Sequence, residues 1–148
     1  NEVLGSIYAA LQQSRGHTDF PRRTQLPHVD FFLPDQKMIV EVDESQHFTA
    51  LRCLTLSLYP KQICLGFPRE RWRQLCQTLD KRHNDPIDRD ETRAWYDTLR
   101  DFAPQFLSLK PTVRLYIKDY VWCSFSPSSK KDIAAFKSLI KKQQEGST

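Results

Sequence analysis

The sequence predicts an α/β fold in which a small mixed sheet is covered by helices. Two runs of strand-like alternation, over residues 29–43 and 113–118, and amphipathic helical patterns before, between and after them carry that prediction. The predicted order is a helix, a hairpin, a mainly helical middle, one or two strands and a closing helix.

Val3, Leu4, Ile7, Tyr8 and Leu11 form the stripe of a first helix that ends near Ser14-Arg15-Gly16. Residues 16–27, which include Arg22 and Arg23, read as a loop or a ragged strand. Residues 29–33 and 38–43 are rich in β-branched and aromatic types and flank the turn-forming Pro34-Asp35-Gln36-Lys37, the pattern of an antiparallel hairpin. Residues 50–59, dense in Leu, are a buried helix or a strand, and 62–66 look like a short strand. Pro68 then suits the first position of a helix carrying Trp72, Leu75, Cys76 and Leu79 on one face and Arg69, Arg71 and Arg73 on another.

The next helix is predicted to start near Asp88, with Glu91 completing a capping box. Its apolar stripe is Trp95, Leu99 and Phe102, its polar face carries Arg89, Arg93 and Arg100, and Pro104 and Pro111 bracket its end. Val113, Leu115 and Ile117 alternate with Arg114, Tyr116 and Lys118 as in a half-buried strand, which residues 120–125 extend after a turn or bulge. Ser129 and Asp132 cap a last helix whose expected buried stripe is Ile133, Phe136, Leu139 and Ile140.

At 148 residues and 39% hydrophobic content the chain is sized for a single domain, 1–148. The net charge of +4, from 22 basic and 18 acidic residues, permits a polyanionic partner without demanding one. No run of 18 apolar residues and no charged leader followed by an apolar stretch is present, so no membrane partner is expected. The chain begins at Asn1 rather than Met, which leaves room for an upstream segment. Cys53, Cys64, Cys76 and Cys123 contain no close pair, which speaks against a zinc ribbon and fits a reducing, intracellular setting, cytoplasm or nucleoid/nucleus.

The hairpin holds the most informative residues. If it is symmetric about Asp35 and Gln36, Leu33 faces Met38 and Asp30 faces Glu41, with Cβ atoms roughly 5 Å apart, a destabilising placement for like charges. The period of two puts Asp43 on the face of Glu41, while Met38, Val40 and Val42 point to a core. Three acids on one face call for a cation, and a hard divalent metal is the simplest candidate. The ordinary alternative is a solvated hairpin face.

The run His28-Val29-Asp30-Phe31-Phe32-Leu33-Pro34-Asp35-Gln36-Lys37-Met38-Ile39-Val40-Glu41-Val42-Asp43-Glu44-Ser45-Gln46-His47 resembles the core of the restriction-endonuclease-like (PD-(D/E)xK) superfamily, nearest to the branch similar to very-short-patch repair endonucleases. The resemblance covers about 20 residues densely and departs at Glu44, where the branch commonly has glycine. It implies a restriction-endonuclease-like mixed central sheet with residues 48–111 as a helical insertion, and a DNA endonuclease using Mg²⁺, with Mn²⁺ as substitute. It assigns metal binding to Asp30 and Glu41, with Asp43 in place of the usual lysine and Gln46 and His47 completing the catalytic set; an acid of the first helix, Glu2, is a weaker candidate.

Hydrolysis of a phosphodiester needs a nucleophilic water and charge neutralisation at the nonbridging and leaving oxygens, which such residues can serve. Asp43 could ligate metal or orient water, and His47 could exchange protons near neutral pH or donate to phosphate. Arg69, Arg71, Arg93, Arg114 and Lys118 form the candidate basic rim for the DNA backbone. Trp72, Trp95 and Trp122 read as core. Two other functions stay open: a catalytically inactive nuclease-like nucleic-acid-binding subunit, and a protein-interaction domain of a larger DNA-processing assembly, which a large exposed apolar patch over residues 48–80 would favour.

Overall fold

The computed structural model describes residues 1–20 and 25–145, so Arg22 and Arg23 lie outside the described residues. The chain runs α1 (Glu2–Arg15), β1 (Phe31–Leu33), β2 (Met38–Asp43), a 3₁₀ turn Ser45–His47, α2 (Ala50–Ser57), α3 (Arg69–Leu79), α4 (Arg89–Leu107), β3 (Lys110–Tyr116) and α5 (Lys130–Glu145). It is a mixed α/β fold: β2 is central, antiparallel to β1 and parallel to β3, with helices against the sheet.

The hairpin register is the expected one, with Leu33 opposite Met38 and Phe31 opposite Val40. In the β2–β3 pair, Glu41 lies opposite Arg114 and Asp43 opposite Tyr116. One side of the sheet gives Met38, Val40, Val113 and Leu115 to a small core with Trp122 and Ile140 packed against it. The larger core lies among the helices and joins Ile7, Leu11, Phe48, Leu56, Trp72, Trp95 and Phe102. Trp72 and Trp95 are therefore core residues, as expected, and Trp122 is half-buried.

α1 stops at Gly16, whose φ of 73° is a left-handed C-cap that glycine adopts without steric cost. The strand expected over 62–66 reduces to a single bridge between Gly66 and Val113. Gly66 approaches β3 so closely that a Cβ there would stand 2.6 Å from the Thr112 carbonyl oxygen. Asp88 sits at the N-cap of α4, but its side chain makes no cap bond and instead accepts from the Thr92 hydroxyl at 3.2 Å. The expected capping box is absent because Glu91 is buried against Arg15 and His17.

α4 also runs through Pro104 instead of ending there. A proline lacks the N–H that would reach the carbonyl four residues back; here the Thr112 hydroxyl donates to that Arg100 carbonyl at 2.7 Å and replaces the missing bond. Pro111 lies inside β3, next to its start, where a proline is tolerated. Residues 120–125 contain a 3₁₀ turn, Trp122–Ser124, rather than more sheet. The Ser129 cap of α5 is present, its Oγ accepting from the Asp132 N–H at 3.2 Å. The expected buried stripe of α5 is only partly covered: Ile133 and Phe136 remain 39% and 37% exposed and line an apolar groove of about 530 Å³ with Leu33, Met38 and Trp122.

Candidate functional site

α4 lies over the end of the sheet that carries the hairpin acids, and it brings acids of its own. Asp90, Ala94, Asp97 and Asp101 recur at helical spacing and are all buried. Asp97 and Asp101 meet Arg114 from β3 and Asp43 from β2. Arg114 donates from Nη1 to Asp43 Oδ1 at 2.6 Å, from Nε to Asp101 Oδ1 at 2.7 Å, and from Nη2 to the Asp97 carbonyl at 3.1 Å. Arg52 of α2 closes the far side, 2.6 Å from Asp101 Oδ2, where the Tyr59 hydroxyl also donates at 2.8 Å. The second oxygen of Asp43 accepts from Trp72 Nε1 at 2.6 Å.

Arg114, expected on a basic rim facing DNA, is instead fully buried, because α4 covers a strand face that alternation alone read as solvated. Tyr116, on the same face of the predicted half-buried strand as Arg114, is buried as well. Lys118 does stay exposed, in the turn after β3. The other rim candidates are partly engaged. Arg69 donates to the Tyr59 carbonyl at 3.1 Å, Arg71 pairs with Asp119 at 2.6 Å, and Arg93 donates to the Gln46 carbonyl at 2.9 Å.

His47 connects this knot to the surface. Its Nδ1 lies 2.9 Å from Asp97 Oδ2 and 3.7 Å from Asp43 Oδ1. Burial disfavours the charged imidazole, but the Asp97 carboxylate outweighs it with help from Asp43, so the His47 pKa is raised. Burial would likewise raise Asp97, yet His47 and Arg114 hold it well below the usual carboxylate range. Asp43, His47 and Asp97 each offer a ligand atom within 4.8 Å of the others, a buried Asp/His/Asp cluster that could hold a divalent metal ion. Arg114 already supplies a cation to both of its carboxylates.

Asp30 and Glu41 are differently placed. The Asp30 N–H donates to Glu41 Oε1 at 3.1 Å, and Asp30 Oδ2 accepts from the Val42 N–H at 2.8 Å, which fixes the two carboxylates side by side as the hairpin pattern predicts. Asp30 is exposed while Glu41 is buried. Among the described residues, the cation that pairs with Glu41 is Arg100 of α4, whose Nε is 3.3 Å from Glu41 Oε2. Burial pushes the Glu41 carboxyl up to about 7, against the pull of Arg114, Arg100 and the Asp30 N–H.

These two acids line a recess of about 560 Å³ together with Phe31, Glu44, Gln46, His47 and Arg100. Gln46 donates to Glu44 Oε2 at 2.8 Å. A second recess of about 400 Å³, lined by Pro86, Arg89, Arg93 and Tyr96, shares His47 and Arg100 with the first. The structure thus gathers Asp30, Glu41, Gln46 and His47 around one opening and sets Asp43 behind it. Glu2 is exposed on the first turn of α1 and is not among the residues lining that recess.

Residues 6–95 match the model of a family described as "Family of unknown function (DUF7255)", a span of more than half the chain. The chain belongs to that family. No curated protein and no solved structure matches it. The DUF7255 match contains Asp30, Glu41, Asp43, Gln46, His47 and Arg93 and stops two residues before Asp97, so Asp97, Arg100 and Arg114 complete the site from outside it.

Asp97, Asp101 and Arg52 were not read from the sequence as site residues. A signal for the two acids existed in the helical spacing of Asp90, Asp97 and Asp101, which sets acids alongside the apolar stripe of α4. Among the described residues, no helix is long and apolar enough to cross a membrane.

Proposed function

We propose that this chain is a divalent-metal-dependent endonuclease of the restriction-endonuclease-like type, acting on DNA, with Asp30 and Glu41 as its metal pair. The observation that carries this reading is the recess lined by these two carboxylates, Asp30 exposed and Glu41 buried, beside Gln46 and His47. The donor set is hard oxygen, which suits Mg²⁺ or Mn²⁺. The fit also has an electrostatic side: Glu41 is buried, burial raises its pKa, and among the described residues it pairs only with Arg100 at 3.3 Å, which favours a further cation there. The Asp43/His47/Asp97 cluster lacks that deficit, since Arg114 stands 2.6 Å from Asp43 and Asp97 is already held ionised.

Bound at Asp30 and Glu41, Mg²⁺ or Mn²⁺ would neutralise charge building on the phosphate oxygens and lower the pKa of a bound water. The chain's own residues do the rest. His47 is oriented through Nδ1 by Asp97, which leaves Nε2 for proton exchange in the recess that His47 lines. Gln46, which lines the same recess, would orient water. Arg100, between Glu41 and Asp97, and Arg93 and Arg89 in the adjoining recess supply positive charge for the sugar-phosphate backbone. In this reading residues 1–148 are one nuclease-like domain, the helical stretch 48–111 shapes the cleft, and the setting is intracellular.

The protein-interaction alternative has less support, because Leu58 is the only large exposed hydrophobic residue in the stretch 48–80 among the described residues. Incubation with single-stranded, duplex, mismatched and branched DNA in Mg²⁺ or Mn²⁺ tests the proposal. Cleavage by the wild type and none by Glu41→Gln is the expected result. A folded wild type that cuts none of them contradicts it and favours the binding-subunit reading.

A further inference from the structure

α4 carries a second stripe beside its buried acids. Arg89, Arg93, Tyr96 and Arg100 recur at helical spacing on one face, and with His47 they line the second recess of about 400 Å³. Its wall sets three guanidinium groups against one carboxylate, that of Asp88, whose Oδ2 accepts from the Thr92 hydroxyl at 3.2 Å. Arg100 is already matched by Glu41 at 3.3 Å and Asp97 at 3.2 Å. Among the described residues, Arg89 and Arg93 have no match as close. Each donates to a backbone carbonyl, Arg89 to that of Asp85 at 2.8 Å and Arg93 to that of Gln46 at 2.9 Å, and a carbonyl carries no countercharge. The carboxylate that Arg93 does approach, Asp90, stands 4.0 Å away and is shared with Arg15 at 3.3 Å. Burial, with the Arg89 charge nearby, lowers the Arg93 pKa against the pull of Asp97 and Asp90.

We propose that this second recess holds a phosphate monoester, the phosphorylated end of a DNA strand, between Arg89 and Arg93. The inference rests on the nuclease reading and narrows its substrate from DNA in general to DNA with a phosphorylated end, as at a nick, a gap or a free terminus.

The balance of charge favours an end over the middle of a strand. An internal phosphodiester carries one negative charge, whereas a monoester carries about −1.5 to −2 at neutral pH and offers three acceptor oxygens. Two guanidinium forks without close carboxylates match the monoester and exceed what the diester needs. The first turn of the 19-residue α4, which brings Asp88 and Arg89 to the wall, adds the positive end of its dipole. His47 and Arg100 belong to both recesses, so a phosphate held here adjoins one held at Asp30 and Glu41, the relation of neighbouring phosphates in one strand. Tyr96 gives the terminal nucleotide an apolar wall.

The experiment measures affinity by fluorescence anisotropy in the Glu41→Gln background, where cleavage does not interfere. The probes are one oligonucleotide sequence with a 5′-phosphate, with a 3′-phosphate, or with hydroxyls at both ends, and a deoxynucleoside monophosphate serves as competitor. One phosphorylated strand should bind about tenfold tighter than the hydroxyl-ended strand. Arg89→Ala and Arg93→Ala should each remove that gain, with a much smaller loss on the hydroxyl-ended strand. Arg89 is exposed and bonds only a backbone carbonyl, so its variant separates phosphate binding from folding. Equal affinity for all three strands, or equal losses on phosphorylated and hydroxyl-ended strands, overturns the end site and leaves the arginines to the ordinary backbone. Competition by the monophosphate as effective as that of the phosphorylated strand assigns the recess to a free nucleotide and also overturns it. Cleavage by the wild type in Mn²⁺ with affinity independent of the end sinks this site alone. End-dependent binding with no cleavage sinks the hydrolase and supports the site, and no binding of any probe overturns both.

Discussion

Two groups of carboxylates lie under the same helix, and they differ in who supplies the positive charge. At Asp43, Asp97 and Asp101 the chain supplies it itself: Arg114 and Arg52 are buried among the three acids. At Asp30 and Glu41 it supplies less, with Arg100 at 3.3 Å from Glu41 and one edge of the pair open to solvent. An acid cluster is therefore not in itself a sign of a metal or of catalysis. The local balance of charge, read in a low-dielectric setting, separates acids that hold the fold from acids that await a partner.

Removing the internal cation gives the largest effect. Arg114→Met leaves three buried carboxylates without their shared guanidinium, and the expected loss is on the order of 3–5 kcal/mol, a large share of the stability of a domain of this size. Chemical denaturation measures it; a loss under about 1 kcal/mol would mean that the acids are not held by Arg114.

Glu41→Gln should act in the opposite sense on stability. The native carboxyl titrates near 7 and the unfolded one near 4.5, so the folded state binds the proton more tightly and native stability falls as pH rises from about 4.5 to 7. Above that window the charged form costs about 3 kcal/mol, and Glu41→Gln removes this cost and flattens the profile. The closed cluster has the other sign. Asp97, depressed below 3.8, contributes stability that is present above that pH and is lost as pH falls below it. Urea midpoints measured from pH 3 to 8 for wild type and Glu41→Gln resolve the two limbs; a wild type whose stability rises between pH 4.5 and 7 contradicts the assignment to Glu41.

The smallest effect belongs to the rim. Arg93→Ala should leave stability within about 1 kcal/mol, weaken binding to unrelated DNA sequences by similar factors, and lower the salt dependence by about one counterion. An unchanged slope would confine Arg93 to its bond with the Gln46 carbonyl.

The same contrast explains what the sequence could reveal. The hairpin register was legible because a tight connection and a period of two fix which residues oppose each other, so the juxtaposition of Asp30 and Glu41 follows from pattern alone. The role of Arg114 was not, because alternation with Val113 and Leu115 reads as one wet and one dry face, and only the docking of α4 makes both faces dry. Asp97 and Asp101 were hidden for a related reason: charged residues on a helix are ordinarily solvated, and their value appears only opposite Arg114. Pro104 misled as a helix end because the hydroxyl that replaces its missing bond comes from Thr112, on the following strand.

Thermal unfolding at pH 8 with and without Mn²⁺, for wild type and Glu41→Gln, tests most directly that the open pair, which Arg100 alone partners among the described residues, and not the closed cluster, gains from a further cation. Without metal the variant should melt above the wild type; with metal the wild type should rise by the linkage expected of a ligand that binds only the folded state, and the variant should not. A variant that melts lower in the absence of metal, or that gains as much from Mn²⁺ as the wild type does, would contradict the account and move the metal to Asp43, His47 and Asp97.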